Sequence, residues 1–170
     1  WALLLAVARR IVESDTYVRK NKFNIWSPNL LLGADVGTGP LGRKKVLGIV
    51  GFGRIGQAVA RRAAGFDMEV LAHDPSHRDR VEAFPGVRWS DLDELLATAD
   101  FVCLHPRLSP ATRHLIDEAR LGQMKPTAYL VNVSRGEVVD EAALVRALRE
   151  GWIAGAALDV YEDEPGLAPG

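Results

Sequence analysis

A short apolar run that leads directly into three closely spaced glycines constrains this chain more than any other feature. The run is 46–50, and the glycines are Gly51, Gly53 and Gly56. Because the run is apolar and contains β-branched residues, it predicts a strand buried inside a parallel sheet. The apolar residues that recur after Gly56 predict that a helix follows the turn.

The spacing of the three glycines is that of a turn that binds a dinucleotide. Gly51 would make the tight turn, Gly53 would let the backbone approach a diphosphate, and Gly56 would let the helix pack closely on the strand. The free amides of Arg54 and Ile55, at the start of that helix, would face the phosphates. Glycines also mark ordinary turns, so this pattern alone leaves a purely structural role open.

An acid in the right place favours the dinucleotide. Asp74 follows the next predicted strand, 69–72, and stands 18 residues beyond Gly56. This is close to the spacing of about 20 residues at which a carboxylate reaches the adenosine ribose. Because a carboxylate accepts hydrogen bonds from ribose hydroxyls and repels a 2′-phosphate, we predict that the cofactor is NAD rather than NADP. The nearby Arg78 and Arg80 leave some tolerance of NADP open.

Composition excludes several classes of partner. The net charge is −1, the hydrophobic fraction is 48% and the charged fraction is 25%, as in an ordinary globular domain. Nucleic acid and anionic membranes therefore have no electrostatic argument in their favour. No apolar run approaches the roughly 18 residues of a membrane span. The single cysteine, Cys103, excludes an intrachain disulfide and suits a reducing cytoplasm.

We expect one NAD-binding domain over 1–170, with three parts. A helix over 1–13 presents an apolar face that packs either on its own sheet or on a second copy of the chain. The stretch 14–45, which includes Pro40, is predicted to be an irregular connection, long enough to lie over a surface or a partner. The core would be 46–170. The chain starts without a cap and ends at Gly170 after a loop, so we expect a piece of something longer.

The core alternates six apolar runs with helical patterns, which predicts an α/β fold with a doubly wound parallel sheet in the order 3-2-1-4-5-6. The predicted strands are 46–50, 69–72, 87–89, 101–104, 128–133 and 156–158. Local signals predict that Gly65 ends the first core helix, that 76–80 is loop, and that Ser90 and Asp140 cap later helices. Gly151 should end the last of these helices.

Ligands of such sheets bind beyond the carboxyl ends of the strands. Two charged features follow those ends: Arg135 after the fifth strand, and an acidic run from Asp159 to Glu164 after the sixth. The guanidinium of Arg135 could bind a carboxylate in two places. Plain solvated charges at strand ends remain the alternative from spacing alone.

Several longer motifs, in order, resemble those of the D-isomer-specific 2-hydroxyacid dehydrogenases. The resemblance covers nearly the whole chain and looks closest to the branch of glyoxylate and hydroxypyruvate reductases or phosphoglycerate dehydrogenases. The matching segments are 47–56, 112–116, 124–128, 132–136, 139–144 and 158–165.

The resemblance implies a role for individual residues in an NAD-dependent oxidoreductase. Arg135 matches the arginine that grips the substrate carboxylate and polarises the carbonyl, and Glu164 matches the glutamate that orients a catalytic histidine. The implied cofactor contacts are Gly51, Gly53, Arg54, Ile55 and Gly56 at the pyrophosphate, Asp74 and Pro106 at the adenosine, and Val133, Ser134, Arg135 and Asp159 around the nicotinamide.

Two departures from the family pattern matter. Pro106-Arg107 stands where the family has a small or apolar residue and then proline, so the wall of the adenosine pocket should be reshaped. The family's catalytic histidine comes beyond the glutamate, and none of the chain's four histidines fits that role; these are His73, His77, His105 and His114. We expect no metal, because a pair formed by His73 and His77 would lack a third ligand.

The predicted partners are a small 2-oxoacid or 2-hydroxyacid and a second copy of the chain, in a homodimer formed through the helix over 1–13. The segment alone is expected to bind NAD weakly without turnover. A non-catalytic NAD-sensing module, like the corepressor relatives of this family, is the alternative. A histidine roughly twenty residues past Glu164 in a longer sequence would favour the enzyme. Formate or phosphite oxidation is a lesser possibility.

Overall fold

Six strands pair in parallel in the order β3-β2-β1-β4-β5-β6, as the sequence predicts. The computed structural model describes residues 1–39 and 41–166, so Pro40 and the end of the predicted core at 167–170 lie outside the described residues. The strands are β1 Val46–Val50, β2 Glu69–His73, β3 Val87–Trp89, β4 Phe101–Leu104, β5 Tyr129–Asn132 and β6 Gly155–Leu158.

Helices cover both faces of the sheet. They are α1 Ala2–Ala8, α2 Ile11–Arg19, α3 Arg54–Ala63, α4 Arg78–Glu82, α5 Leu92–Thr98, α6 Glu118–Gln123 and α7 Glu141–Glu150. Successive residues of a strand point to opposite faces. Accordingly, Leu47 and Ile49 join the apolar cluster that includes α1 and α3, whereas Val46 and Val50 join the cluster of α5, α6 and α7.

The register of the strands brings their carboxyl ends to one level. Val50 pairs with His73 on one side and with Leu104 on the other, and the row continues through Asn132 to Leu158. The residue after each of these strand ends therefore begins at the same edge of the sheet. This edge is where the sequence places the candidate site residues.

The amino-terminal prediction was wrong in two respects. The single helix over 1–13 is two helices, because Arg10 adopts the left-handed conformation with a φ of 53° and breaks the run between α1 and α2. The irregular connection begins after Arg19 rather than at residue 14, since α2 continues to that residue. Ion pairs within the segment, Arg10 with Glu13 and Arg19 with Asp15, support this second helix.

The two halves of the predicted amino-terminal helix have different surroundings. Leu4 and Ala8 of α1 are 1% and 0% exposed, and they belong to the cluster of α3 and the sheet. The α1 segment therefore packs on its own sheet, which was one of the two alternatives. Helix α2 contains no buried residue.

Three local predictions are corrected by the backbone. Helix α3 does not end at Gly65: it passes into the 3-10 turn Ala64–Phe66, and Asp67 takes the left-handed position with a φ of 55°. The segment 76–80 is not loop, because the Asp74 carboxylate accepts a hydrogen bond from the Ser76 amide and starts the 3-10 turn Pro75–His77, after which α4 follows.

The start of α5 also differs from the prediction, whereas α7 has the predicted cap and the predicted end. Asp91 rather than Ser90 is the N-cap of α5, and the Ser90 hydroxyl lies near the Glu94 carboxylate at 3.0 Å. Asp140 accepts from the Ala143 amide at 2.9 Å and caps α7, and Gly151 ends that helix with a φ of 72°. No helix within the described ranges has the length and apolar character needed to cross a membrane.

Candidate cofactor and active site

The three glycines of the turn between β1 and α3 have different surroundings. Two of them are packed against backbone, and the third faces open space that a diphosphate could occupy. A Cβ on Gly51, whose φ is 89°, would lie 2.6 Å from the Pro106 nitrogen. A Cβ on Gly56 would lie 2.3 Å from the Gly51 oxygen. By contrast, nothing lies within 4 Å of a Cβ placed on Gly53. Gly51 and Gly56 therefore permit close backbone approach, and Gly53 opens outward.

The first turn of α3 is available to an anion. Gly53 is its N-cap in an extended conformation, and no side chain of the described residues caps it. The amides of Arg54 and Ile55 lie in this turn, where the helix dipole is positive. The Ile55 side chain is exposed beside them. This end of the helix fits a pyrophosphate without any further group.

Asp74 lies directly against the glycine turn. Its Oδ2 accepts a hydrogen bond from the Phe52 amide at 2.9 Å, and its Oδ1 accepts one from the Ser76 amide at 3.2 Å. The His77 Nδ1 is also 3.2 Å from Oδ1. The carboxylate is 14% exposed. Two amides from different elements thus fix the acid beside the turn, and the groove next to it is open.

Two adjoining clefts run along the carboxyl edge. One, of about 540 Å³, is lined by Gly51, Gly53 and Asp74 among others. The second, of about 330 Å³, is lined by Ile55, Val133, Ser134 and Arg135 among others. Three residues line both clefts: His105, Pro106 and Arg107. Together the clefts give an elongated cofactor a continuous path from Asp74 to Arg135.

Two larger clefts lie outside the path from Asp74 to Arg135. One, of about 990 Å³, is bordered by Val7, Val12 and Leu158 between the amino-terminal helices and β6. The other, of about 830 Å³, is bordered by Glu69 and Val70 at the amino end of β2. Neither includes the glycine turn, and parallel sheets of this kind bind their ligands at the carboxyl edge. We therefore place the cofactor site in the two smaller clefts.

A buried asparagine that sequence reasoning missed organises the turn after β5. Asn132 is 1% exposed. Its Oδ1 accepts from the Ser134 amide at 3.0 Å and from the Ser134 hydroxyl at 2.8 Å, and its Nδ2 donates to the Arg135 carbonyl at 2.9 Å. A polar residue at the end of an otherwise apolar run was the available signal. Asn132 thereby fixes the backbone that presents Arg135.

Arg135 presents its guanidinium to the second cleft. The residue is exposed, and its Nη1 donates to the Ser134 carbonyl at 2.7 Å. It forms no ion pair with any residue in the described part of the chain. The remaining donors of the fork can therefore bind a planar anion such as a carboxylate.

Gly136 ties the turn after β5 to the segment that follows β6. A Cβ on Gly136 would lie 2.0 Å from the carbonyl carbon of Tyr161. The same segment is held by Glu162, whose amide donates to Glu141 Oε2 at 2.9 Å and whose carboxylate lies 2.5 Å from His114 Nε2. Sequence reasoning gave His114 no catalytic role and did not find this pair.

Glu164 and Asp159 lie in the same segment and have backbone partners. Glu164 Oε1 accepts from the Tyr161 amide at 2.8 Å, and the residue is exposed. No hydrogen bond or ion pair between described residues joins Glu164 to Arg135 or to a histidine. Asp159 is exposed, and its amide donates to the Asn132 carbonyl at 3.0 Å. Neither acid is among the residues that line the two clefts.

Burial keeps two titratable groups at the end of β4 uncharged. It lowers the pKa of His105 to about 4, and the Nε2 of this ring has no hydrogen-bond partner among described residues. It raises the pKa of the Cys103 thiol to about 12. Near neutral pH, His105 is therefore a neutral wall of both clefts and Cys103 is an inert core thiol.

The remaining candidate groups are engaged elsewhere. The Arg78 guanidinium lies 4.0 Å from the centre of the Trp89 ring and 2.7 Å from the Glu82 carboxylate. This weakens the sequence argument that Arg78 assists a 2′-phosphate. The His73 Nδ1 lies 3.0 Å from the Ser90 carbonyl. Within 1–39 and 41–166, no group of three or more potential metal-binding side chains was found.

Comparisons with known proteins identify the family of this chain. Residues 1–169 match the family described as D-isomer specific 2-hydroxyacid dehydrogenase, NAD binding domain. The chain is 53% identical over 169 residues to a glyoxylate reductase of Thermococcus onnurineus, covering 97% of this chain and 49% of the relative. It is 54% identical over 166 residues to a glyoxylate reductase of Korarchaeum cryptofilum, covering 97% and 48%.

A solved structure of a dehydrogenase is also similar to this chain. The D-lactate dehydrogenase from Aquifex aeolicus, complexed with NAD and lactic acid, matches with a TM-score of 0.84 and 36% identity over 96% of this chain and 46% of that one. The chain spans about half the length of these relatives. It belongs to the D-isomer-specific 2-hydroxyacid dehydrogenase family and comprises the NAD-binding domain of that family.

Proposed function

We propose that this domain holds NAD in an oxidoreductase that interconverts a small 2-oxoacid and the corresponding 2-hydroxyacid. The observation that carries the proposal is the path of the two clefts, which leads from Asp74 to the unpaired guanidinium of Arg135. A site with only a binding role would not need an arginine at the far end. The relatives named as glyoxylate reductases support glyoxylate as a substrate.

The cofactor contacts that we propose follow the cleft. The backbone at Gly51, Gly53 and Gly56 and the amides of Arg54 and Ile55 would bind the pyrophosphate. Asp74 would accept hydrogen bonds from the adenosine ribose, beside Pro106. The nicotinamide end would be held by Val133, Ser134, Arg135 and Asp159. When bound, the nicotinamide supplies or accepts the hydride.

Two residues of this chain would act on the substrate. Arg135 would bind its carboxylate and stabilise the charge that develops on the carbonyl oxygen. Glu164 would orient an acid/base histidine and raise the pKa of that histidine by favouring its charged form. None of the four histidines here takes this role, because among the described residues only His114 has a glutamate partner, and that partner is Glu162. The role would fall to a histidine other than these four.

The test is turnover by the full-length protein that contains this domain. Oxidation of NADH is followed with glyoxylate, hydroxypyruvate and pyruvate, and Arg135→Gln is compared with wild type. Because loss of a single charge-stabilising donor costs about 100-fold to 1,000-fold, we expect kcat/KM to fall by at least about 100-fold, and the Kd of NADH to rise by a much smaller factor. Binding of NADH without turnover of any 2-oxoacid would instead support the NAD-sensing alternative.

We also propose a homodimer, formed through α2 and residues 20–26 of the connection after it. Apolar side chains are exposed along this stretch, among them Val12, Val18, Phe23, Ile25 and Trp26. Trp26 is 77% exposed. A contiguous stretch of this kind is typical of a surface covered by a partner.

Sedimentation of the full-length protein tests the dimer. Wild type should sediment as a dimer at micromolar concentration, and the double variant Ile25→Ser, Trp26→Ser should shift toward the monomer. Leu41→Ser is the matched control, because Leu41 is 88% exposed and lies outside this stretch. A monomeric wild type would contradict the proposal.

The cytoplasm is the compartment that we propose. Its support is the free thiol of Cys103, which is buried in the core, and a composition that carries one cysteine. Fractionation of the native cells, with detection by antibody, would check the location, and recovery outside the cytoplasmic fraction would contradict it.

A further inference from the structure

His77 shares the carboxylate of Asp74, the acid proposed to bind the adenosine ribose. Its Nδ1 lies 3.2 Å from Asp74 Oδ1, and both residues line the cleft that contains Gly51 and Gly53. The His77 side chain is 44% exposed, so it can exchange protons with solvent. Sequence reasoning considered His77 only as half of a metal pair.

The acceptor positions on Asp74 are too few for all of its partners. A carboxylate offers about four lone-pair positions on its two oxygens. The amides of Phe52 and Ser76 and the ring of His77 already use three. A ribose with two neighbouring hydroxyls needs two positions, so His77 and the ribose compete for the same carboxylate.

Protonation decides the outcome of this competition. Histidine is the side chain that ordinarily gains a charge within the range of about pH 8 to pH 5. A neutral ring makes one weak hydrogen bond that a ribose can displace. An imidazolium forms an ion pair with Asp74 and also cancels the negative charge that repels a 2′-phosphate. Acid therefore weakens the binding of NAD and favours the binding of NADP.

We propose that His77 is a specificity-determining residue, which relaxes the preference for NAD over NADP as the imidazole is protonated. This inference rests on the proposed binding of NAD in the cleft beside Asp74. His77 would act on the ribose end of the cofactor and would have no part in hydride transfer.

The other charged and titratable groups around His77 do not provide the same dependence on pH. From β2, His73 lies against the Ser90 carbonyl, and from α4, Arg78 pairs with Glu82 and Asp79 is exposed. Across the cleft, His105 is held neutral by burial and Arg107 keeps its charge at every relevant pH. Among the described residues named here, His77 is the one in contact with the Asp74 carboxylate.

Calorimetric titrations of the protein with NAD⁺ and NADP⁺ at about pH 8 and about pH 6 test the proposal. In wild type the ratio of the Kd of NADP⁺ to that of NAD⁺ should fall about threefold to fivefold on acidification, the size of a partly exposed ion pair. The 2′-phosphate itself loses charge near pH 6, which opposes its binding to any cation. This loss of charge is the same for all variants. The difference between variants in the pH dependence of the Kd ratio therefore reports the effect of His77.

His77→Gln should remove the fall in the ratio, and the matched control His114→Gln should keep it because His114 pairs with Glu162. Since His77 and His114 are both partly exposed, circular dichroism should show that both variants fold. The same pH dependence in His77→Gln as in wild type would overturn the inference. No binding of NAD⁺ to wild type at either pH would instead overturn the proposed function.

Discussion

At the scale of single residues, Asp74 connects three parts of the cofactor cleft. Its carboxylate bonds the glycine turn through the Phe52 amide, starts the Pro75–His77 turn through Ser76, and meets the ring of His77. The same group is available to a ribose. One side chain thereby shapes the cleft and sets its charge.

Asp74→Asn keeps an acceptor for the Phe52 amide and removes the charge. Because hydrogen bonds to a charged group contribute about 1.5–3 kcal/mol, we expect the Kd of NADH to rise about tenfold or more. The Kd of NADPH should rise much less, since its phosphate no longer faces a carboxylate. Parallel fluorescence titrations measure both values, and Asp79→Asn serves as an exposed acid control. Tighter binding of NADPH than of NADH by wild type would show that the role given to Asp74 is wrong.

His105 couples the stability of the fold to pH. Its pKa is lowered to about 4 by burial, so the unfolded chain binds a proton more readily than the folded chain below about pH 6.5. The stability that the neutral ring preserves is complete above about pH 6.5 and is lost as the pH falls toward 4. The loss is at most about 1.4 kcal/mol per pH unit.

Urea unfolding at about pH 7.5, 6 and 5 measures this dependence. The variant His105→Gln should lose the part of the slope that His105 causes, whatever its stability at pH 7.5. An unchanged slope in His105→Gln would mean that the ring is protonated in the folded protein without cost.

At the scale of elements, the β5–α7 turn is fitted to the segment after β6. Gly136→Ala places a Cβ against the backbone of Tyr161, and overpacking of this kind typically costs about 1–3 kcal/mol. Gly122→Ala in α6 is the matched control, because nothing lies within 4 Å of its Cβ. It should be neutral or stabilise by up to about 1 kcal/mol. Thermal unfolding distinguishes the two, and equal melting temperatures would contradict the close packing.

The central elements were predictable because their signals are strong and mutually consistent. The strand 46–50 is apolar at every position except Gly48, the three glycines fix the turn and the start of α3, and the sheet order results from the alternation of strands and helices. The acid at position 74 could be placed beside the glycine turn because parallel strands align their carboxyl ends.

The elements that sequence reasoning missed depend on single backbone angles or on tertiary contacts. The left-handed Arg10 breaks an apolar pattern that is otherwise continuous across α1 and α2. The short helix α4 comes after a turn that the Asp74 side chain starts. The pair of His114 and Glu162 joins residues 48 positions apart, which no local pattern predicts.

At the scale of the whole molecule, the sheet gathers residues from five strand ends at one edge. The register of β1, β2, β4, β5 and β6 sets those ends level. As a result, the acid that would bind one end of NAD and the arginine that would bind a substrate lie at opposite ends of one path. The chain comprises the NAD-binding domain of its family.

Amide chemical-shift mapping of the isotopically labelled protein during a titration with NADH tests this account most directly. We expect the largest changes in the glycine turn 51–56, at Asp74, and in the segments 105–107 and 133–135, which line the two clefts. Changes centred on the amino end of β2, around Glu69 and Val70, or no saturable change at all, would contradict the central claim that NAD binds across the carboxyl edge of the sheet.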